Sequence, residues 1–235
     1  NEAGIIYCVS RKEVEKLAAW LDESGHRALP YHAGLPDVTR RRNQEAFLEE
    51  RVDVMVATVA FGMGIDRSNI RYVIHAGSPR SVEHYQQESG RAGRDGLEAE
   101  CVLLYSGADY ARWRQMLEQS GELSDTARRL LRDMERYAAG TRCRHRFLVE
   151  YFGQAFDRED CGACDWCLEE LERVADPVTL AQKILSTVVR TGQSWGVGHV
   201  IDVLRGRTTE QVTARRHHEL TTFGLLTDLS IAELR

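Results

Sequence analysis

The first hundred residues alternate between short apolar runs and segments that carry apolar residues at helical spacing. The runs are typical of strands buried in a parallel sheet, and they lie at residues 4–9, 28–31, 52–58, 72–75 and 100–105. The segments between them predict helices over residues 10–25, 36–50 and 82–88. Ser10 and Glu13 have the spacing of a capping box, which marks the start of the first helix. Strands joined by crossover helices predict an α/β fold, with one parallel sheet and helices on both of its faces.

The pattern changes after Ser106 to helices without strands. Helices are predicted at about 108–119, 124–138 and 142–152, and a cysteine-rich loop then runs to Cys167. Residues 168–177 are acidic and include Asp-Pro, which favours a linker, and two or three short helices follow it. We therefore expect three domains, at residues 1–106, 107–168 and 169–235.

Composition favours a soluble protein of the cell interior. The 235 residues are 43% hydrophobic and 29% charged, and no apolar run approaches the roughly 20 residues that a membrane-spanning helix needs. The first residues, Asn-Glu-Ala-Gly-Ile-Ile, include neither a Met nor a basic and apolar leader for secretion. These features lead us to expect a fragment of a cytosolic protein with no membrane partner.

The net charge of −5 argues against an indiscriminate binder of polyanions, but the charges are unevenly distributed. Residues 124–147 contain seven arginines against three acidic residues, a local balance of +4. This stretch is compatible with a surface that binds nucleic acid, and equally with an arginine-rich helix face that contacts only water.

The six cysteines divide into two lone residues and one cluster. Cys8 and Cys101 lie in apolar runs, so we expect both to be buried in the core. The other four share the spacing of a metal site: Cys143, Cys161, Cys164 and Cys167. Four sulfur ligands suit a tetrahedral, structural Zn²⁺ with no open position for chemistry. An iron–sulfur cluster is the alternative, but the upstream fourth cysteine and the lack of a following Cys-Pro favour zinc.

Residues 87–96 read Gln-Glu-Ser-Gly-Arg-Ala-Gly-Arg-Asp-Gly and carry the strongest chemical signal in the chain. Arg91 and Arg94 are three residues apart, so on one helical turn they would face the same way. Guanidinium groups match phosphate oxygens with a planar fork of donors and keep their charge. The pair therefore predicts a phosphate-binding device, such as an arginine finger on a transferring phosphoryl group. The alternative is a glycine-rich basic turn on the surface.

A second candidate site lies at residues 54–66, which read Val-Met-Val-Ala-Thr-Val-Ala-Phe-Gly-Met-Gly-Ile-Asp. Thr58 stands at a predicted strand end and can offer its hydroxyl and amide to a phosphate. Gly62 and Gly64 allow a loop that approaches a ligand closely, and Asp66 can accept from a ribose hydroxyl or pair with an arginine. A glycine loop after a strand is by itself more often a turn than a site. The Gly-Arg-Ala-Gly-Arg run further along the chain strengthens the functional interpretation.

Together these motifs resemble the second half of a RecQ-family DNA helicase of superfamily 2. Four segments carry the resemblance: residues 5–10 resemble helicase motif IV, residues 31–35 (Tyr-His-Ala-Gly-Leu) the short DNA-contacting motif after it, residues 57–66 motif V and residues 87–96 motif VI. The family continues with a zinc-binding domain and a winged helix, and this chain continues in that order. The resemblance covers essentially the whole chain. It implies a RecA-like parallel-sheet domain, a helical zinc-binding domain and a partial winged-helix domain.

The resemblance also implies which residues face the nucleotide. Arg94 would be the finger on the ATP γ-phosphate, with Arg91 and Gln87 supporting the nucleotide and its coupling to movement. Gly64 and Asp66 would lie on the nucleotide side of the cleft between two motor domains.

Other residues would hold the backbone of single-stranded DNA. The resemblance places Ser10, Arg11 and Thr58 in this role, together with His32 and Gly34 of the loop that follows the second strand. Phosphate contacts of this kind position a strand without reading its sequence, as a translocating motor requires. His32 is equally compatible with an ordinary histidine at a strand end.

The last segment resembles the winged helix of the family. Residues 197–206 resemble its second helix and the following turn, and residues 215–220 would begin or occupy its third, recognition-like helix. Arg215 and Arg216 would grip the phosphates of duplex DNA ahead of a fork. A small helical hairpin with a charged, exposed face is the alternative. The chain stops before any β-wing, so we expect a partial domain.

A superfamily 2 motor hydrolyses ATP with Mg²⁺ between two RecA-like domains, and the first of them carries Gly-x-x-x-x-Gly-Lys-[Ser/Thr]. That sequence does not occur in these 235 residues. We therefore expect the C-terminal part of an ATP-dependent 3′–5′ DNA helicase of recombination and repair, inactive without the first motor domain. Its DNA partners would be single-stranded, duplex and forked, in the bacterial cytoplasm (preferred) or a eukaryotic nucleus. The alternative is a zinc-stabilised DNA-binding protein that has lost motor activity.

Overall fold

A computed structural model describes residues 2–62, 65–171, 176–231 and 233–234 of the chain. The chain divides into two units, residues 1–170 and residues 171–235. The predicted sheet and the helical, cysteine-containing segment both lie in the first unit. The predicted linker at residues 168–177 includes the boundary, and its residues 172–175 lie outside the described part of the chain.

The first unit contains a five-stranded parallel sheet with strand order β2-β3-β1-β4-β5. Its strands and helices, in chain order, are β1 (Ala3–Tyr7), α1 (Arg11–Glu23), β2 (Ala28–Tyr31), α2 (Asp37–Leu48), β3 (Val54–Ala57), β4 (Ile70–His75), α3 (Val82–Ser89) and β5 (Glu100–Leu103). The predicted α/β fold with a parallel sheet is confirmed.

Helices cover both faces of this sheet because alternate residues of a strand point to opposite sides. Ile5 and Tyr7 of β1 join a core that includes Phe47 of α2. Ile6, between them, joins a second core that includes Val14 of α1. The central strand is therefore buried on both faces, which explains why it reads as a continuous apolar run.

Three helices complete the first unit after the sheet. They are α4 (Gly107–Gln119), α5 (Asp125–Ala139) and α6 (Arg144–Tyr151), close to the predicted positions. Tyr85 of α3, Met134 of α5 and Phe147 of α6 belong to one buried cluster. The helix that leads into the predicted phosphate-binding turn is thereby packed against the helices that lead to the cysteine cluster.

The second unit is helical in its described part. Its helices are α7 (Pro177–Arg190), α8 (Val197–Leu204), α9 (Glu210–Ala214) and a 3₁₀ turn (His217–Glu219). The prediction of one recognition-like helix over residues 215–220 is wrong. Arg216 adopts a left-handed conformation with φ of 57°, which interrupts a right-handed helix at that point. No helix in the described part of either unit is long and apolar enough to cross a membrane.

The two lone cysteines differ in exposure. Cys8 is buried as predicted, but Cys101 is exposed, so the prediction for Cys101 is wrong. Cys101 lies on β5, which is an edge strand with a neighbour on one side only. Its apolar context indicated a strand but carried no information on strand order.

Candidate functional site

The predicted nucleotide- and DNA-binding segments follow the carboxyl ends of strands. Ser10 follows β1, the loop at residues 32–34 follows β2, and Thr58 follows β3. In a parallel sheet these ends lie at one edge, where ligands bind in folds of this kind. The structure therefore collects the predicted DNA-contacting segments on a single edge of the sheet.

The loop at residues 32–34 is held by a buried histidine. His32 is 2% exposed, and its Nδ1 accepts the backbone N–H of Gly34 at 3.1 Å. Its Nε2 lies 3.2 Å from Oε1 of Glu15 in α1. Both ring nitrogens of His32 are thus engaged within the chain, so this side chain shapes the loop. A Cβ on Gly34 would lie 3.1 Å from Nη1 of Arg11, which shows that Arg11 lies beside the loop.

Ser10 forms the capping box that its spacing predicts. Its hydroxyl accepts the N–H of Glu13 at 3.3 Å, and the Glu13 carboxylate accepts the N–H of Ser10 at 3.0 Å. Arg112 of α4 lies 2.7 Å from the same carboxylate. Partial burial acts to raise the pKa of Glu13, but hydrogen bonds from Arg112 and Ser10 outweigh it and lower that pKa. The capping box at the start of α1 is therefore held by a contact from α4, which the sequence did not indicate.

A second contact from α4 fixes the loop after β4. The indole N–H of Trp113 donates to the backbone oxygen of Ser78 at 2.7 Å, and Asp109 accepts the N–H of Ser78 at 3.2 Å. Sequence reasoning missed both residues, because a helix that follows a sheet gives no signal of which loop it contacts.

The glycine loop after β3 is described in part. Thr58 is half-buried, and its N–H donates to the Tyr31 oxygen at 3.2 Å. Asp66 is exposed, whereas Gly64, the other predicted cleft residue, lies outside the described residues. Arg67, which the sequence did not single out, is 8% exposed and donates to the Phe47 oxygen at 2.7 Å.

Arg91 and Arg94 do not lie on one turn of a helix, so the helical placement predicted for them is wrong. The helix α3 ends at Ser89, and the two arginines lie in the turn that follows it. Gly93 has φ of +64°, and a Cβ there would lie 2.9 Å from the Leu97 oxygen, so this turn requires glycine.

The two guanidinium groups therefore occupy different environments. Arg91 is 6% exposed, and its Nη2 lies only 2.8 Å from where a Cβ on Gly62 would be. The Nε of Arg91 has no hydrogen-bond partner among the described residues. Arg94 is exposed and donates to the backbone oxygens of Gly90 and Ile65, each at 3.3 Å. Gln87 is also exposed.

The four clustered cysteines form a candidate metal centre. Their sulfur atoms all lie within 4.8 Å of one another: Cys143, Cys161, Cys164 and Cys167. Thiolates bonded to one tetrahedral Zn²⁺ at about 2.3 Å would be about 3.8 Å apart, so the residues fit a single zinc ion. Iron atoms bridged in a cluster would hold four cysteines farther apart.

Backbone N–H groups favour ionised sulfur in this centre. Arg144 N–H donates to the Cys164 sulfur at 3.4 Å, and Arg146 N–H donates to the Cys143 sulfur at 3.4 Å. Burial acts to raise the pKa of Cys164, but the N–H groups of Arg144 and Cys167 outweigh it and lower the pKa to about 7. Because metals bind the thiolate form, Cys164 is the ligand best prepared for a cation, whereas burial raises the pKa of Cys143 and Cys161.

Most of the arginine-rich stretch is engaged within the chain. Four of its arginines have acidic, carbonyl or aromatic partners: Arg136, Arg142, Arg144 and Arg146. Arg129 and Arg132 are exposed on α5. Most of these arginines therefore stabilise the helical segment itself. The exposed arginines that remain, on α5, form its basic surface.

In the second unit, the two predicted phosphate-binding arginines have different surroundings. Arg215 lies over the ring of Trp195, with its guanidinium carbon 5.7 Å from the ring centroid. Arg216 pairs with Glu219 at 2.8 Å and remains largely exposed.

Family models match three consecutive parts of the chain. A helicase conserved C-terminal domain matches residues 1–96, a RecQ zinc-binding domain matches residues 107–168, and an RQC domain matches residues 172–235. The middle match contains all four cysteines, which supports the zinc assignment.

Curated relatives match the chain over nearly its full length. The ATP-dependent DNA helicase RecQ of Haemophilus influenzae is 42% identical over 98% of this chain and 37% of its own length. The protein of the same name from Bacillus subtilis is 42% identical over 100% of this chain and 40% of its own. The RecQ-like DNA helicase blm-1 of Caenorhabditis elegans is 36% identical over 94% of this chain and 24% of its own length. This chain thus spans about two fifths of the length of its bacterial relatives.

Proposed function

Because this chain belongs to the RecQ family of DNA helicases, we propose that it supplies the second half of an ATP-dependent motor that moves 3′ to 5′ along DNA. Such a motor would act in DNA recombination and repair. The observation that carries the proposal is the placement of Arg94: an exposed guanidinium group in a glycine turn, next to the loop that follows β3.

On the nucleotide side, Arg94 is proposed as the arginine finger on the γ-phosphate of ATP. Its two bonds to backbone oxygens are long, so its donors are available to a phosphate at little cost. Gln87 and Asp66 are exposed, in keeping with roles at the same cleft. Arg91 is buried, so we assign it to orienting the turn rather than to direct contact with the nucleotide. Gly64 is proposed to lie on the nucleotide side of the same cleft.

Mg²⁺ and the phosphate cradle would come from the first RecA-like domain, the proposed partner. Residues 1–235 contain no Gly-x-x-x-x-Gly-Lys-[Ser/Thr] sequence. The chain therefore contributes a finger to a nucleotide bound elsewhere, and we expect it to hydrolyse no ATP by itself.

On the DNA side, Arg11, Gly34 and Thr58 are proposed to contact the backbone of single-stranded DNA. Arg11 is exposed beside the Gly34 loop, and Thr58 follows the neighbouring strand. Ser10 and His32 are engaged within the chain, so we assign them to fixing the loops that make the contacts. Arginine and backbone N–H groups match phosphate oxygens without reading sequence.

The second unit is proposed to bind duplex or forked DNA through Arg215 and Arg216. Arg216 is the more available of the two because its charge is exposed. We place the whole protein in the compartment that holds DNA, the bacterial cytoplasm or a eukaryotic nucleus, and the two bacterial relatives favour the first.

The test is ATP hydrolysis by the full-length protein with an Arg94→Ala substitution. Loss of an arginine finger should lower kcat by about 10³-fold while KM for ATP changes little. The matched control is Arg114→Ala, an exposed arginine on α4, which should leave kcat unchanged. Equal kcat in the wild type and the Arg94 variant would contradict the assignment of the finger.

The competing function is a zinc-stabilised DNA-binding protein without a motor. A full-length protein that binds forked DNA but shows no ATP hydrolysis, with or without DNA, would favour this alternative and overturn the proposed motor.

A further inference from the structure

His75 links the DNA-facing edge of the sheet to the turn that carries the arginines. It ends β4 and is 1% exposed. Its Nε2 lies 2.8 Å from Oε2 of Glu88, a buried residue near the end of α3. Its Nδ1 is buried with no hydrogen-bond partner among the described residues. A buried ring nitrogen without a partner is costly, so its retention calls for an explanation beyond packing.

Glu88 connects His75 to the arginine turn. Arg91 donates its backbone N–H to the backbone oxygen of Glu88 at 3.3 Å, and its Nε is buried without a partner in the described part of the chain. The charges of Glu88 and Arg91 both act on the hydroxyl of Tyr7, so the Glu88 carboxylate shares one buried region with two nitrogens that each lack a hydrogen bond. A shift of Glu88 from His75 towards Arg91 would satisfy the arginine at the expense of the histidine, which defines two discrete arrangements.

Tyr7 extends these contacts to the loop after β3. Its ring stacks on His75 with centroids 5.4 Å apart, and its hydroxyl donates to the Phe61 oxygen at 2.8 Å. Burial raises the pKa of Tyr7 far above its usual range, and the nearby charge of Arg91 opposes this only in part. We call Tyr7, His75, Glu88 and Arg91 the buried row. It joins the ends of β1 and β4 to the glycine loop and the arginine turn.

A cavity of about 320 Å³ opens beside the buried row at the carboxyl ends of the strands. Its wall includes His75 and Glu88, together with Thr58, Ser78 and Arg80 from the loops after β3 and β4. On the proposed function, this edge of the sheet faces single-stranded DNA. The histidine therefore lies between the DNA edge and the carboxylate that precedes the arginine turn.

Stability alone does not account for this arrangement. A buried pair of ionisable groups contributes little more than an apolar pair of similar volume, because desolvation offsets the attraction. The pair of His75 and Glu88 contributes even less to stability, because Nδ1 of His75 and Nε of Arg91 stay buried without a hydrogen bond. The arrangement instead gives the Glu88 carboxylate two alternative partners, His75 and Arg91.

We propose that His75 is a positioning residue that couples DNA bound at the cavity to the arginine turn through Glu88, so that DNA accelerates ATP hydrolysis. DNA at the sheet edge would engage His75, which frees Glu88 to bond Arg91 and sets the turn that aims Arg94. This inference rests on the proposed motor function. It requires no contact between His75 and ATP.

The experiment measures ATP hydrolysis by the full-length protein with and without saturating single-stranded DNA. His75→Asn removes the nitrogen that reaches Glu88, and His75→Gln places an amide near the position of that nitrogen. We expect His75→Asn to lower the ratio of DNA-stimulated to basal kcat at least about fivefold by raising basal kcat, because Glu88 then bonds Arg91 without DNA, while the DNA-stimulated kcat and KM for ATP stay within about twofold of the wild type. His75→Gln should retain most of the ratio. His26→Asn, at an exposed histidine, is the matched control.

A second variant keeps the test decisive if His75→Asn does not fold. Tyr7→Phe keeps the ring on His75 and removes the hydroxyl, with its bond to the Phe61 oxygen and its interaction with Arg91, and it should also lower the ratio. An unchanged ratio in a folded variant, or an equal loss of basal and stimulated rates, would overturn the coupling role. A wild-type protein whose ATP hydrolysis does not respond to DNA would overturn the proposed function itself, and this inference with it.

Discussion

Arg144 and Asp165 form a two-pronged ion pair, in which Nε and Nη2 of the arginine each lie 2.8 Å from one carboxylate oxygen. Each residue directly follows a cysteine of the metal centre, Cys143 and Cys164. The remaining guanidinium nitrogen of Arg144 donates to the Tyr137 and Gly140 oxygens at 2.8 Å. One planar side chain thus joins the end of α5, the start of α6 and the cysteine loop.

This pair leads us to expect that Arg144→Lys weakens metal binding although it conserves charge. Lysine cannot reproduce the fork, so the loop that carries Cys164 loses its orientation. Residues that orient metal ligands typically change affinity by about 10–100-fold when replaced. Competition with a zinc chelator in solution would measure the loss. Arg142→Ala, on the other side of Cys143, is the control and should bind zinc with nearly wild-type affinity, because the partners of Arg142 are Glu150 and the ring of Phe147, both on α6 and neither in the cysteine loop.

Removal of the metal should unfold residues 142–168 while leaving the sheet intact. The four cysteines connect the start of α6 to the loop, and folding of such segments depends on the metal. Hydrogen exchange before and after chelation measures this directly. We expect fast exchange in residues 142–168 and unchanged protection in β1 and β3. Unchanged exchange in the cysteine segment after complete zinc removal would refute the structural role of the site.

The pKa of Glu13 should depend on Arg112. The hydrogen bonds from Arg112 and Ser10 lower this pKa, so the pair stabilises the folded state above the unfolded pKa of about 4.3 and stops doing so as pH falls through the folded value. Both side chains are about 40% exposed, so solvent screening keeps the contribution small. A carboxyl NMR titration should show the Glu13 pKa rising towards about 4.3 in Arg112→Gln. The same pKa in both proteins would show that the ion pair is absent in solution.

Local patterns predicted the fold well because they are set by neighbouring residues. The spacing of Ser10 and Glu13 predicted a capping box, and the spacing of the cysteines predicted a metal centre whose sulfur atoms do lie together. Strand ends were predicted to within two residues, since apolar runs report burial directly.

Features that depend on distant residues could not be predicted in this way. Arg91 is buried and Arg94 is exposed because the chain turns at Gly93, which lies between them. The N–H of Gly93 donates to the backbone oxygen of Ile70, 23 residues earlier in the chain. The exposure of Cys101 follows from strand order, which a sequence pattern does not contain. The contacts of α4 with Glu13 and Ser78 likewise depend on tertiary packing.

Substitution of Gly62 should impair ATP hydrolysis more than it impairs folding. A Cβ at this position would lie 2.8 Å from Nη2 of Arg91, so the buried guanidinium must move. The far end of an arginine can shift, which limits the cost in stability, but the turn that carries Arg94 shifts with it. We expect Gly62→Ala to lower kcat of the full-length protein about tenfold with a nearly unchanged melting temperature.

The matched control for Gly62 is Gly107→Ala. A Cβ at Gly107 meets nothing within 4 Å, so this variant should keep wild-type kcat. If Gly62→Ala also keeps wild-type kcat, the packing of Arg91 against the glycine loop has no part in the motor.

Arg11 should contribute one phosphate contact to DNA binding. Each neutralised phosphate releases counterions, so affinity falls linearly with salt on logarithmic axes, and the slope counts the contacts. For Arg11→Ala we expect weaker binding to single strands of every sequence and a slope smaller by about one. Lys16→Ala, an exposed cation on the same helix, should change neither quantity. Fluorescence anisotropy across a salt series measures both variants, and an Arg11→Ala slope equal to that of the wild type would remove Arg11 from the DNA path.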